Sequence, residues 1–363
     1  MRILFLILAF LNAIHLFAQN KPDWENPEVF AINKEVTRAT ALPYANETQA
    51  LKNHFSSSPY YKSLNGNWQF YWTDKVADAP KDFYLEENYA DHVKPIWEKG
   101  TPNQISRQSG WTLMPVPGNW EFNGYGVPMY VNIGFGFPVN PPYIDREDSS
   151  TGSYRHKFDI PKDWDGRRVY LHFEGGTNSM YVWINGKKVG YTENAKSPAE
   201  FDITAYIRPG SNLLACQLLK FSDGSYIEDQ DMWRLGGINR SVYLYSTAQT
   251  RIQDFYSLAD LDNQYKDGKL NVDVNIKNYA RESIPQTLEV SVLDKSGKKI
   301  FTQSKKIDIP SDKVEVVNFN GTIKKPLQWT AETPNLYNML ITLRDANNNI
   351  VETTSHRIGF RKV

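Results

Sequence analysis

One cysteine in 363 residues, Cys216, excludes an intramolecular disulfide and with it a disulfide-stapled scaffold or a cysteine-based zinc centre. It lies in the apolar run Leu-Leu-Ala-Cys-Gln-Leu-Leu, where an inert buried thiol is expected. Charge of one sign is also missing. Forty-one Lys and Arg stand against 41 Asp and Glu, so no net field draws the chain to nucleic acid or an anionic membrane. The six histidines show no HExxH or similar ligand spacing, and His172, inside an apolar strand, reads as a packing residue. No G-x-S-x-G elbow, phosphate-binding loop or dinucleotide fingerprint occurs. Beyond the first 18 residues no apolar run is long enough to span a bilayer, and helical periodicity is scarce. Nor is there an internal repeat with a period of 20–50 residues.

The first 18 residues carry a basic start (Met1-Arg2), an apolar core from Ile3 to Leu11 and a small exit residue, Ala18. That pattern predicts a signal peptide over 1–18 and an exported, periplasmic or extracellular chain. A retained membrane anchor is the competing reading of this run.

Aromatics are what the chain has in quantity: 10 Trp, 21 Tyr and 18 Phe. They suit strands and flat ring-stacking ligands, although their commonest use is packing. Alternating runs such as Arg168–Phe173, Ser179–Ile184, Lys187–Tyr191, Asn212–Phe221 and Arg240–Tyr245 predict strands. Asn185-Gly186 between two of them predicts a type I′ hairpin, because both residues tolerate positive φ. Composition shifts near Thr247–Thr250, after which Lys269–Ile276, Gln286–Leu293 and Leu336–Leu343 read as strands of a second unit. Its Lys295–Lys298 and Asp345–Asn349 segments read as hairpin turns. The expected architecture is all-β: a jelly-roll sandwich over 60–248, then an immunoglobulin-like sandwich over 249–361, with 19–59 an extended segment before both.

Two stretches break the strand period. Ser222–Arg234 packs Asp223, Glu228, Asp229 and Asp231 beside Tyr226 and Trp233. A solvated acidic loop is the plain reading. Carboxylates this dense repel unless a cation or hydrogen-bond donors hold them, and carboxylates beside an indole also suit a sugar, as acceptors for hydroxyls and a face for C–H groups. The second stretch, Gly118–Pro142, is rich in Gly, Pro, Asn and aromatics, as a functional loop is.

These residues carry a family resemblance. Ser63-Leu-Asn-Gly-Asn-Trp-Gln-Phe70, Val116-Pro-Gly-Asn-Trp120 and Val182-Trp-Ile-Asn-Gly-Lys-Lys-Val-Gly190 resemble the sugar-binding domain of family 2 glycoside hydrolases. Glu228-Asp-Gln-Asp-Met-Trp-Arg-Leu-Gly-Gly237 resembles the large β-galactosidases of that family, as does Trp24–Phe30 with Asn33 and Arg38. Thr333–Tyr337 and His356–Val363 resemble the end of their immunoglobulin-like domain. The resemblance implies an amino-terminal portion of an exported, retaining β-galactosidase acting on terminal non-reducing β-D-galactose. Retention needs two glutamates about 5–5.5 Å apart. In the family both belong to a (β/α)₈ barrel, which is absent from this chain, residues 362–363 standing where it would begin. No catalytic residue is therefore expected here, and neither Glu228 nor Asp231 is assigned that role.

Two substrate contacts carry over. Asp223 matches a position that binds a sodium ion and the galactosyl 6-hydroxyl, and Asn140 one that hydrogen-bonds the sugar from the opposite wall. Magnesium is expected only with the barrel, the partner is a β-galactoside, and the full-length enzyme is expected to be a homo-oligomer. Two readings compete: a free-standing carbohydrate-binding or assembly module, and a family 2 hydrolase for another sugar such as a β-glucuronide.

Overall fold

In the computed structural model the described residues are 21–91, 93, 110–132, 134–147, 149–194, 196–228 and 230–362. The expected leader and Asp229 lie outside them. Almost all regular structure is strand, and no (β/α)₈ barrel occurs among the described residues. No helix in them is long and apolar enough to cross a membrane.

The first sandwich packs a seven-stranded sheet on a four-stranded one. The larger runs, in spatial order, Ala31–Ile32, Lys187–Glu193, Ser179–Ile184, Ser211–Leu219, Thr151–Asp159, Gly66–Thr73 and Thr112–Val116. The smaller runs Ala199–Asp202, Arg168–Phe173, Val242–Thr247 and Tyr61–Ser63. Period-two alternation aims Leu214, Cys216 and Leu218 of one strand at Leu171, Phe173, Phe201, Val242 and Leu244 of the facing sheet. Cys216 is fully buried there, as an apolar packing residue. Asn185 and Gly186 take φ of +50° and +80°, the expected I′ turn, and join adjacent antiparallel strands.

The second sandwich sets Thr250–Leu261, Gly268–Asn278 and Val314–Ile323 against Lys299–Ile307, Gln286–Leu293, Tyr337–Arg344 and Ile350–Ile358. Leu270, Val272, Val274 and Ile276 alternate inward on one strand and are buried. Each such side chain contributes about 1.5–3 kcal/mol of apolar burial.

The segment before both sandwiches is a strap across their seam. Ala31 and Ile32 pair with Thr192 and Tyr191 of the first sandwich. Tyr44 exchanges two backbone hydrogen bonds, 2.8 and 3.0 Å, with Thr353 of the second. A one-turn helix, Glu47–Leu51, starts at Asn46, whose side chain accepts the Gln49 N–H at 2.9 Å. Ser355 donates to its Ala50 carbonyl at 2.6 Å. Leu42, Tyr44 and Ala50 are buried against Tyr170, Tyr243, Tyr245, Leu293 and Leu340.

At the centre of the seam Arg38 forks onto both oxygens of Glu200 at 3.1 and 2.9 Å. Glu200 also accepts from Tyr245 at 2.6 Å and lies 2.9 Å from His172 Nδ1, whose ring stacks on Tyr243. Burial opposes ionisation of Glu200, but Arg38 and His172 outweigh it and hold the carboxyl well below the usual range. Nearby, burial pushes Glu352 up to about 7, although the Ile252 N–H and Arg251 pull it back.

Candidate sugar-binding site

The site is assembled where the outer face of the seven-stranded sheet meets the loops 118–147 and 220–237. Strand Ser211–Leu219 delivers Lys220, Phe221 and Ser222 into a single 3-10 turn, Asp223–Tyr226. Ser222 caps that turn: its hydroxyl accepts the Gly224 N–H at 3.1 Å, and its own N–H donates to Ser225 Oγ at 3.0 Å. The turn therefore presents Asp223 and Tyr226 in fixed directions.

Asp223 points inward. It is 7% exposed, its Oδ1 accepts the Gly224 N–H at 3.0 Å, and its Oδ2 is buried without a protein partner among the described residues. It faces Glu193, the last residue of Lys187–Glu193, itself buried and hydrogen-bonded by the Tyr191 hydroxyl. Burial pushes Glu193 up to about 8; the Tyr191 bond opposes this and the Asp223 and Glu228 charges add to it. Burial raises Asp223 as well. Gly224 leaves room beside the pair, since a Cβ there would come within 3.0 Å of Glu193 Oε2, 3.2 Å of Ser222 Oγ and 3.7 Å of Asn178 Oδ1. The three atoms nearest that point are oxygens, and Asp223 Oδ2 has no hydrogen-bond donor among the described residues. That is the donor chemistry of a hard cation such as sodium, so the residues present fit the ion implied for Asp223. Two carboxylates meet here, and no group of three or more His, Cys, Asp or Glu able to hold a metal occurs among the described residues.

Asn140 is exposed and bonded to Tyr226, the last residue of the same turn. Its N–H donates to the Tyr226 hydroxyl at 3.0 Å, and that hydroxyl donates to the Tyr143 carbonyl at 2.6 Å. Phe135 and Phe137 pack edge-on to the same ring. Both expected sugar contacts thus meet the Asp223–Tyr226 turn, Asn140 as an exposed residue bonded to Tyr226 and Asp223 as a buried one within the turn.

The other described carboxylates of the acidic loop are held apart, each with its own donor. Asn178 Nδ2 donates to Glu228 at 3.1 Å, and the Tyr130 hydroxyl donates to Asp231. Asp231 belongs to the outer face. It precedes Met232–Arg234, which pairs with Met129–Val131 as a separate two-stranded ribbon. Trp233 and Tyr130 stand on that ribbon, 54% and 53% exposed, with ring centroids 5.5 Å apart. An exposed indole and phenol beside an exposed carboxylate have the chemistry a sugar needs: a platform for C–H groups and an acceptor for hydroxyls. A cleft lined by Phe135, Phe137, Asn178, Glu228 and Trp233 adjoins it.

Sequence reading missed Glu193 and left Asp231 undistinguished among four acids. Glu193 lies thirty positions before Asp223, a distance that only strand pairing closes. For Asp231 a signal existed: it immediately precedes a Met-Trp-Arg strand whose first two side chains, Met232 and Trp233, are both exposed.

The chain matches the model of the glycosyl hydrolases family 2 sugar binding domain over residues 61–248 and that of glycosyl hydrolases family 2 over 250–361. It is 37% identical over 350 residues to a β-galactosidase of Priestia megaterium, covering 95% of this chain and 32% of that protein. A β-galactosidase of Photobacterium profundum is 34% identical over 348 residues, with 94% and 31% covered. The fold is that of a β-glucuronidase from glycoside hydrolase family 2, at 22% identity and TM-score 0.63 over 84% of this chain and 31% of that one. The chain spans about a third of the length of the curated relatives it matches. With a sugar-binding sandwich, an immunoglobulin-like sandwich and family matches across both, the chain belongs to glycosyl hydrolase family 2.

Proposed function

We propose that the chain is the amino-terminal portion of an exported, retaining β-galactosidase and supplies part of its galactose site. The observation that carries this reading is the buried Asp223–Glu193 carboxyl pair set behind an exposed Tyr130–Trp233–Asp231 face. In this reading Asp223 and Glu193 hold a sodium ion, which supplies positive charge and a Lewis-acidic contact for a sugar hydroxyl. Asn140 donates to and accepts from hydroxyls at the opposite wall. Asp231, the exposed acid beside Trp233, accepts from the sugar at the surface, and Asp223 acts through the ion. The two glutamates that break the glycosidic bond come from a barrel outside this chain, as do the magnesium ligands, and the complete enzyme is a homo-oligomer.

A β-glucuronide is the second reading, favoured by the glucuronidase among structures of similar fold. The site's charge speaks for galactose. A glucuronide brings a carboxylate to a surface that already carries Asp231 and Glu228, and like charges disfavour it.

Saturation-transfer NMR on the 363-residue chain tests both readings. Methyl β-D-galactoside should bind in the millimolar range, lose binding in Asp231→Asn and Trp233→Ala, and bind better than the glucuronide. Micromolar affinity would favour the free-standing module, and preference for the glucuronide would reverse the sugar assignment. The chain alone should not turn over an aryl β-galactoside above the buffer rate. Turnover abolished by substituting Glu228 or Asp231 would refute the division of labour.

A further inference from the structure

The ribbon that presents Tyr130 and Trp233 has no core of its own. Met129–Val131 and Met232–Arg234 pair only with each other, over three residue pairs, and are separated by about a hundred residues of chain. A free two-stranded ribbon is marginal in water even when a tight turn joins its strands, and no turn joins these. Met129 packs against the Phe137–Phe221 cluster and Arg234 donates to the Glu228 carbonyl at 3.1 Å, but the backbone of both strands is held by hydrogen bonds at its roots.

Both roots end on one buried ion pair. Lys220 Nζ and Glu121 Oε1 lie 2.9 Å apart, with side chains 7% and 0% exposed. Two residues before Met129, the Val127 carbonyl accepts from Lys220 Nζ at 3.4 Å. Two residues after Arg234, the Gly236 N–H donates to both Glu121 oxygens, at 3.1 and 2.9 Å. Gly236 also lies against Trp120, where a Cβ would come within 1.8 Å of the ring, so only glycine fits at this root. Lys220 in turn stands three positions before Asp223 on the same descending strand end.

We infer that Lys220 and Glu121 are positioning residues that strap the two roots of the ribbon together and fix its sugar-facing side chains relative to the Asp223 turn. The inference deepens the reading of this face as a sugar site and rests on it for its purpose. A buried ion pair adds little net stability over an apolar pair of similar volume, yet removing one partner strands a charge. What the pair provides and an apolar pair cannot is directed hydrogen bonding to the backbone of both roots.

That difference gives the test. Lys220→Met, Glu121→Gln and the double variant Glu121→Met/Lys220→Met are compared in the full chain by thermal unfolding, by amide hydrogen exchange and by saturation transfer from methyl β-D-galactoside. Each single variant should lose thermal stability. The double variant should regain most of it, since no charge is left buried alone. Exchange across the ribbon should nevertheless stay at least about tenfold faster than in the wild type, with the amides of Ser211–Leu219 unchanged, and saturation transfer should be lost. Wild-type exchange across the ribbon in the double variant would overturn the inference, as would faster exchange spread evenly over the first sandwich. If ribbon exchange accelerates as expected but the wild type itself shows no saturation transfer, the strap stands and the sugar reading fails.

Discussion

Replacing Glu193 by Gln isolates the carboxyl pair. Moving a carboxyl from 4.5 to about 8 on folding has a ceiling of about 5 kcal/mol, and the partly open surroundings of Glu193 reduce that to about 2 kcal/mol. The folded-state value lies above the unfolded one, so folding favours the protonated acid. Its contribution is full below about pH 4.5 and is lost as pH rises through about 8. Glutamine keeps an acceptor for the Tyr191 hydroxyl and removes the titration. In cation-free buffer the two proteins should therefore have similar melting temperatures near pH 4.5, and in the variant the first sandwich should melt roughly 4–8 °C higher at pH 9. Glu352 weakens both proteins over an overlapping range, so the difference between them is the readout. Sodium at pH 9 should raise the wild type, by about 2.7 kcal/mol at a hundred times the dissociation constant, and the variant less. Choline chloride at equal ionic strength controls for screening. Parallel melting curves from pH 4.5 to 9, with equal responses to sodium and choline, would refute both the pairing and the cation.

Glu352→Gln keeps an acceptor for the Ile252 N–H. It should match the wild type near pH 4.5 and exceed it above pH 7 by up to about 3 kcal/mol in urea unfolding; a pH-independent difference would contradict the raised carboxyl. Glu200→Gln leaves Arg38 buried without its carboxylate and should cost about 3–5 kcal/mol, measured the same way at pH 7. Trp120→Ala empties the space against Gly152 and Gly236 and should cost about 3–5 kcal/mol in the first sandwich, read by calorimetry, with the second sandwich little changed.

Strands and tight turns were legible because their causes are local. Alternation alone outlined Arg168–Phe173 and Gln286–Leu293 to the residue, and Asn-Gly located the hairpin between Ile184 and Lys187. The strap was not legible. Its residues have no period, and Arg38, Tyr44 and Glu47 take their meaning from Glu200, Thr353 and Arg344, more than a hundred and fifty positions away. The acidic loop was legible as a density of charge, which says nothing of direction. One capped turn sends Asp223 inward to Glu193, while the ribbon carries Asp231 outward. The Lys220–Glu121 pair was hidden for the same reason: a lysine at a strand end and a glutamate in a loop look solvated until both are enclosed.

The strap also constrains the order in which the chain takes shape during synthesis. Residues 31–58 are made early, but the Tyr44–Thr353, Glu47–Arg344 and Ala50–Ser355 contacts need strands that end at Ile358. At 5–20 residues per second, the ribosome needs roughly 15–60 s to add the intervening 300 or so residues. Through that interval Leu42, Tyr44 and Ala50 lack the Leu293 and Leu340 surfaces that later cover them. The first sandwich is free to close meanwhile, and these early-made residues dock late, as an apolar segment open to chaperones until strand Ile350–Ile358 arrives.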